Sequence, residues 1–122
     1  MIQAICLSIA FVILSAIIDA EHIKKEQFFS DHKSRWILRF IFFLAIGIDH
    51  IEYIIGSALI FTALFDQVLN RLRGLGFWYL GTEAKWDLFF SSKPILYKFV
   101  KISALIGGVV AFFSKLFFLI VK

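Results

Sequence analysis

Apolar residues dominate three stretches of the chain, and most polar residues lie between them. The first stretch, Ile2–Ile18, is interrupted only by Gln3 and two serines. Because a helix rises 1.5 Å per residue, this run needs only one or two further residues to cross the roughly 30 Å of hydrocarbon in a bilayer. The last stretch, Pro94–Lys122, begins with a proline, which suits the first turn of a helix. The pattern therefore predicts a membrane helix at each end of the chain.

The middle stretch, Trp36–Leu69, permits two arrangements. Two largely apolar runs, Trp36–Ile48 and Tyr53–Phe65, flank the polar cluster Asp49-His50-Ile51-Glu52. Each run alone would extend only about 20 Å, which is too short for a bilayer. The cluster contains no Gly-Pro or Asn-Gly turn signal. We therefore predict one long, tilted or kinked helix with the cluster on an inward face.

The distribution of basic residues favours the alternative, a hairpin of two short helices. Four cations lie between residues 20 and 35, and six more lie between residues 71 and 101. Basic loops collect on the cytoplasmic side of a membrane. Two basic segments on the same side need an even number of crossings between them, which one long helix does not provide. Both arrangements remain open at the level of the sequence.

Residues 71–93 have the composition of a segment that lies at the membrane surface. Gly74 and Gly76 end the preceding helix, because glycine permits the positive φ of a helix C-terminus. Thr82 can cap a short amphipathic helix that runs through Phe90 and lies on the membrane. Aromatic and basic side chains are typical of the headgroup region of a membrane, which is where such a helix would lie. The residues expected at headgroup level are Arg71, Arg73, Phe77, Trp78, Tyr79, Lys85 and Trp86.

The last apolar stretch carries small residues at intervals of four. Ser103, Gly107 and Ala111 form one row, and Ala104 and Gly108 form a second. Rows of small residues let another backbone approach closely within a membrane. We expect Ser103, Gly107, Gly108 and Ala111 to form a helix-packing seam.

Composition adds to the case for a membrane protein. The chain has 122 residues, 61% of them hydrophobic and 18% aromatic, with a mean hydropathy of +0.88. Soluble domains are usually about 45–50% apolar, and a chain of this size cannot bury such an excess in its own core. The fold class that follows is all-α. We expect one integral membrane domain over residues 1–122, with three membrane helices, or four if the middle stretch divides, and one short interfacial amphipathic helix.

Neither the net charge nor the nature of the first apolar run, Ile2–Ile18, alters the predicted membrane fold. The net charge of +4 is explained by the basic loops, and no nucleic-acid-binding motif accompanies it, so nucleic acid is not an expected partner. The first run has no positive segment before it and no clear cleavage site, so we expect a retained helix rather than a signal peptide. Its single cysteine, Cys6, is expected to act as a small hydrophobic residue.

Four residues are candidate ligands for a divalent metal, namely Asp19, His22, His32 and His50. Imidazole and carboxylate together suit zinc, iron or manganese, and these four would converge if the loop folded back over the helices. Their spacing matches no compact metal motif such as H-E-x-x-H, so no cofactor is predicted from it. The alternative is that these groups pair with lysine or arginine, or with lipid headgroups.

A second set of polar residues is expected inside the membrane. Asp49, His50 and Glu52 would lie near mid-membrane on a single long helix, where ionisable groups are costly unless they are paired or wet. Such a cluster would permit a proton or ion pathway, because histidine titrates near neutral pH. Lys115 lies in the last apolar stretch, and its side chain is expected to extend towards the interface.

Several polar segments resemble small membrane proteins of unknown function that are encoded in bacterial and bacteriophage genomes. The likeness is carried by Asp19–Lys25, by His32 with Arg35, by Arg73–Leu75 and by Tyr79–Asp87, and it runs loosely from Asp19 to Pro94. The resemblance implies a bacterial or viral setting and no particular activity. The residues it singles out for testing are Asp19, His22, His32, Gly81, Thr82 and Asp87.

Three functions are compatible with these features. The leading expectation is a non-catalytic structural, anchoring or assembly role in a bacterial inner membrane or a viral membrane, as a homo-oligomer or within a larger assembly. The small-residue seam and the interfacial aromatic residues favour it, since so few helices bury little surface within one protomer. The second is a membrane pore, holin-like or ion- or proton-conducting. The third is a membrane-embedded metalloenzyme that uses the Asp and His residues.

Overall fold

Five helices form the regular structure of the residues that the computed structural model describes. These residues are 1–25, 32–48, 50–81 and 85–120, with side chains described throughout except at positions 32–33 and 115–120. Three helices are long and apolar enough to cross a membrane: α1, α3 and the Pro94–Ser114 part of α5. The predicted all-α membrane fold with a short additional helix is confirmed. The helices are α1 (Ile2–Lys24), α2 (His32–Ile46), α3 (Ile51–Leu72), α4 (Lys85–Ser91) and α5 (Pro94–Ile120).

The middle stretch forms two helices, so the prediction of one long helix is wrong. The helix α2 ends at Ile46, a turn follows at Gly47 and Ile48, and His50 has extended backbone, with φ −148° and ψ 90°. A Cβ atom at Gly47 would collide with the side chain of Ile54. The tight return of the chain therefore depends on this glycine, which is the turn signal inside the apolar run.

Contacts between the helices fix their directions. The hydroxyls of Ser8 and Ser57 share a hydrogen bond of 2.8 Å, and the ring centroids of Phe11 and Phe61 lie 6.0 Å apart, so α1 and α3 run in the same direction. The Phe11 ring also stacks on Phe42 of α2, with 3.7 Å between centroids. Because α1 and α3 are parallel, α2 must run antiparallel to both and return the chain to the end of the bundle where α3 begins. Its 15 residues extend about 22 Å, which is less than the roughly 30 Å of hydrocarbon in a bilayer.

The helix α3 lies at the centre, with α1 packed on one side and α5 on another. The helix α5 runs antiparallel to α3, because Gly108 meets Gly56 while Lys101 meets Asp66. The two glycines allow the backbones to approach closely: a Cβ atom at Gly108 would lie 3.0 Å from the carbonyl oxygen of Gly56. A cluster of buried apolar residues from α1, α3 and α5 packs at this centre and contains Ala4, Val12, Ile60, Phe61 and Phe112.

This topology places both basic segments at one end of the bundle. The helices α1 and α3 finish there, and α2 and α5 begin there. We call this end the basic end. Two helices, α2 and α3, therefore lie between the two basic segments, in the hairpin arrangement that the distribution of basic residues favoured.

Candidate functional site

Asp19, Arg35 and Arg39 form a buried ionic cluster near the basic end, which we call the Asp19 triad. Asp19 is 3% exposed, Arg35 7% and Arg39 6%. The Nη2 atom of Arg39 donates to Oδ2 of Asp19 at 2.8 Å, and Nε of Arg35 lies 3.3 Å from Oδ1. Each carboxylate oxygen thus faces one guanidinium. Asp19 lies about 8 Å along the axis from the last residue of α1, so the triad joins α1 to α2 within their apolar length.

Aromatic rings enclose the guanidinium of Arg39. Its Cζ atom lies 4.6 Å from the ring centroid of Phe65, 4.9 Å from that of Phe61 and 5.4 Å from that of Trp36. Ring faces attract a cation, and the attraction is strongest where water is absent. The rings and the Asp19 carboxylate together offset the cost of removing this charge from water. Arg39 therefore connects α1, α2 and α3.

A small cleft lies beside the triad between α1 and α2. Its volume is about 70 Å³, and its walls include all three charged residues. The cleft therefore has room for water beside the charged groups. The apolar and hydroxyl side chains in its walls are Phe11, Leu14, Ser15, Ile18 and Leu38.

A second ion pair joins α3 to α5. The Nζ atom of Lys101 lies 2.6 Å from Oδ2 of Asp66 and also donates to the carbonyl oxygen of Thr62. The lysine side chain is 9% exposed, whereas the aspartate side chain is 49% exposed. Beside this pair, Nε2 of Gln67 donates to the Tyr97 hydroxyl at 3.3 Å. The polar side chains near the basic end therefore tie α3 to its neighbours on both sides.

The unequal exposure of this pair predicts unequal effects of mutation. Asp66→Asn leaves a buried ammonium without its carboxylate, whereas Lys101→Met leaves a carboxylate that water reaches. We expect the free energy of unfolding to fall by about 3 kcal/mol for Asp66→Asn and by about 1 kcal/mol for Lys101→Met. Unfolding of the purified protein in mixed micelles with increasing SDS measures both values. Equal losses would contradict the assignment of Lys101 as the buried partner.

Asp87 of the short helix α4 lies against Gly81. The Asp87 carboxylate accepts a hydrogen bond from the backbone N–H of Gly81, and a Cβ atom at Gly81 would collide with it. Partial burial raises the pKa of Asp87, and so does the negative charge of Asp66. The Gly81 N–H and the Lys101 ammonium act in the opposite direction, less strongly.

Docking of α4 is therefore expected to strengthen as the pH falls. The docked state raises the pKa of Asp87, so it binds the proton more tightly than the undocked state does. This contribution is fully present below the ordinary aspartate pKa and is lost as the pH rises through the raised value. Fluorescence of Trp86 in a mildly acidic pH series reports the docking. Asp87→Asn should flatten the profile, and Glu21→Gln should leave it unchanged; a profile that Asp87→Asn does not alter would contradict this role.

The three candidate metal ligands whose side chains are described, Asp19, His22 and His50, do not converge. Asp19 is held by two guanidiniums, and Nδ1 of His22 donates to the carbonyl oxygen of Ile18 at 2.8 Å. His50 lies at the opposite end of the bundle from Asp19, because α1 and α3 run in parallel. His32 begins α2, and its side chain is outside the described residues. In the part of the chain that the structure describes, no three His, Cys, Asp or Glu side chains lie close enough to share a metal.

The mid-membrane position predicted for His50 and Glu52 rested on a single long helix, which the structure replaces with two helices. The turn at Gly47 places both residues where α3 begins, at the end of the bundle opposite the basic end. There Nδ1 of His50 lies 3.2 Å from Oε1 of Glu52. Asp49 and the side chain of Lys115 lie outside the described residues.

The predicted helix-packing seam on α5 divides into an inner and an outer part. Gly108 is buried against α3, whereas Gly107 meets only Leu59, whose Cδ1 would lie 3.5 Å from an added Cβ atom. Ser103 is exposed, and Ala111 is partly buried. The inner part therefore packs within the protomer, and the outer part faces its surroundings.

The residues predicted at headgroup level are all exposed. Nδ2 of Asn70 donates to the carbonyl oxygen of Tyr79 at 2.8 Å, which holds this segment against the end of α3. Gly74 has the predicted positive φ, 72°. Thr82 lies outside the described residues. The exposed set is Arg71, Arg73, Phe77, Trp78, Tyr79, Lys85 and Trp86.

Sequence reasoning missed the partners of Asp19 and the pairing of Asp66 with Lys101. The available signal was Arg39, the single charge that interrupts the apolar run Trp36–Ile48. A lone charge in such a run needs an opposite charge nearby, and Asp19 at the end of the first run offers one.

Neither a protein-family model, nor a curated protein, nor a solved structure matches the chain. Function therefore has to be inferred from the contacts of the chain itself.

Proposed function

We propose that the protein is a non-catalytic membrane component that anchors or organises an assembly in its bilayer. One observation carries the proposal: charged groups within the apolar helices are engaged with each other across helices. Asp19 contacts Arg35 and Arg39, and Asp66 contacts Lys101. Ionisable groups that serve turnover or conduction need access to water or substrate. These groups instead hold α1, α2, α3 and α5 in fixed relative positions.

The surface that remains outside the bundle suits such a role. Within each of the three spanning helices, no more than a third of the most apolar window is buried inside the protomer. The outer part of the α5 seam, around Ser103, adds a small residue that lets another helix approach. Further copies of the chain or other membrane proteins can cover these faces. We propose a bacterial inner membrane or a viral membrane as the setting, which is the one expected from the sequence.

The test is the mass of the protein taken gently from its membrane. Amine-reactive crosslinking in intact membranes comes first, followed by extraction in a mild detergent and native mass spectrometry. We expect a discrete species heavier than the 14.1 kDa of one chain, with a second copy or a partner in it. Ser103→Leu serves as the matched variant for the outer seam, and Leu14→Ile serves as its control on α1. A chain that runs alone in both measurements would overturn the proposal.

The pore alternative has a different test. The rings of Phe11, Phe42, Phe43 and Phe61 are packed together between the Ser8–Ser57 hydrogen bond and the Asp19 triad. A water path along this interior is blocked by the rings, so conduction would need several copies around a shared axis. A collapse of the membrane potential on induced expression would favour the pore. An unchanged potential would remove it.

The metalloenzyme alternative is tested by elemental analysis. Purified wild type is compared with His22→Ala, because His22 is the candidate ligand nearest Asp19 in the chain. Stoichiometric zinc, iron or manganese that is lost in the variant would favour an enzyme over an assembly role. A metal content near zero in both proteins would leave Asp19 with the structural role that its two arginine contacts support.

A further inference from the structure

We propose that the corner between α4 and α5 binds an anionic phospholipid of the leaflet at the basic end. The inference rests on the membrane location of the chain and not on the proposed assembly role. The corner contains an open, largely apolar groove of about 510 Å³. Its walls are formed by Ser92, Lys93, Pro94, Ile95, Leu96 and Phe99.

The groove has a defined shape because hydrogen bonds fix the turn beside it. The backbone N–H of Lys93 donates to the carbonyl oxygen of Phe90 at 2.9 Å. The hydroxyl of Ser92 donates to the carbonyl oxygen of Phe89 at 3.0 Å. One turn of α5 then presents Ile95 and Phe99, which are 83% and 67% exposed. Side chains of this kind, at the start of a spanning helix, require an apolar cover, and an acyl chain supplies it.

The charge at the rim favours an anion. The Nζ atom of Lys93 lies 4.6 Å from the ring centroid of Phe89, and that of Lys98 lies 5.6 Å from the ring centroid of Trp78. Within the described ranges, neither ammonium lies at ion-pair distance from a carboxylate. Two described carboxylates of this region are already engaged, since Asp66 contacts Lys101 and Asp87 accepts from a backbone N–H. The groove therefore joins an apolar floor to positive charge that no carboxylate pairs within the described part of the chain.

A phospholipid with a net negative headgroup matches both features in one molecule. Its phosphate compensates the Lys93 ammonium while an acyl chain covers Ile95 and Phe99. In a zwitterionic lipid the phosphate is already compensated by the cationic group of the headgroup, so its attraction to Lys93 is weaker. The exposed rings of Trp78 and Trp86 set the corner at headgroup depth, where the phosphate lies. Each lysine near a membrane surface strengthens the attraction for anionic lipid by about fivefold.

Tryptophan quenching by brominated lipids tests the inference. The full chain with Trp36→Phe keeps only Trp78 and Trp86, both near the corner, and is reconstituted with brominated phosphatidylglycerol or brominated phosphatidylcholine. We expect a higher relative binding constant for phosphatidylglycerol. Lys93→Gln should lower this ratio about fivefold, and Lys93→Arg should keep it.

The matched control is Lys25→Gln, which removes the same charge at the basic end but outside the corner. A loss with Lys25→Gln as large as the loss with Lys93→Gln would mean a general surface potential, and it would overturn the site. Equal quenching by the two lipids in the Trp36→Phe protein would overturn it as well. All the substituted lysines are exposed, so each variant is expected to fold.

Discussion

Asp19→Asn is expected to lower the free energy of unfolding by about 3–5 kcal/mol. The asparagine keeps the size of the side chain but removes the negative charge that Arg35 and Arg39 contact at 3.3 Å and 2.8 Å. Arg39 then faces mainly aromatic rings, which replace the lost carboxylate only in part. The loss is expected to be large because a buried charge whose partner is removed keeps its full desolvation cost. An SDS titration of the purified protein in mixed micelles measures it.

Two further variants separate the buried triad from a general charge effect. Glu21→Gln breaks the exposed pair with Lys24, whose atoms lie 3.2 Å apart, and is expected to cost less than about 1 kcal/mol. Adding Arg39→Met to Asp19→Asn should recover part of the loss, because an apolar side chain of similar length fills the space without a charge. The triad would have no stabilising role if Asp19→Asn were as mild as Glu21→Gln. A loss in the double variant equal to the sum of the two single losses would show that Asp19 and Arg39 act independently.

The helical membrane class could be predicted because it depends on local sequence. Run length and hydropathy identify α1 and α5, Pro94 marks the start of α5, and Gly74 marks the end of α3. The division between α2 and α3 is different. A single glycine is tolerated within many helices, and only the packing of Ile54 against Gly47 makes this one a turn. The positions of the basic segments were the better guide to this division. Two such segments at one end of the bundle require an even number of helices between them, whatever the local turn signals are.

The candidate site could not be predicted because its partners come from different helices. Asp19 resembled a metal ligand since His22 and His32 lie near it in the chain. Its actual partners, Arg35 and Arg39, are brought to it by the antiparallel packing of α2 on α1. Direction decides such pairings: the parallel course of α1 and α3 separates Asp19 from His50 by the length of the bundle. A sequence pattern identifies the charge that needs a partner, but the topology selects the partner.

Gly108→Ala and Gly107→Ala are expected to have effects of opposite sign, although the residues are neighbours and belong to the same predicted seam. A Cβ atom at Gly108 would lie 2.9 Å from Cγ1 of Ile60 and 3.1 Å from its backbone nitrogen. Backbone atoms cannot yield locally, so α3 and α5 would have to separate. We expect a loss of about 1–3 kcal/mol in the free energy of unfolding, measured by the same SDS titration.

Gly107→Ala is the internal control, because the added methyl group meets only Cδ1 of Leu59, at an ordinary contact distance of 3.5 Å. Alanine also favours the helix by about 1 kcal/mol over glycine, so this variant is expected to be neutral or stabilising. Equal losses at the two positions would mean that the α5 seam packs against another chain as well as against α3. Equal neutrality would mean that α3 and α5 are further apart than the contact between Gly56 and Gly108 requires. Opposite signs would assign Gly108 to the interior of the protomer and leave the Ser103 and Gly107 face free for the assembly contacts proposed above.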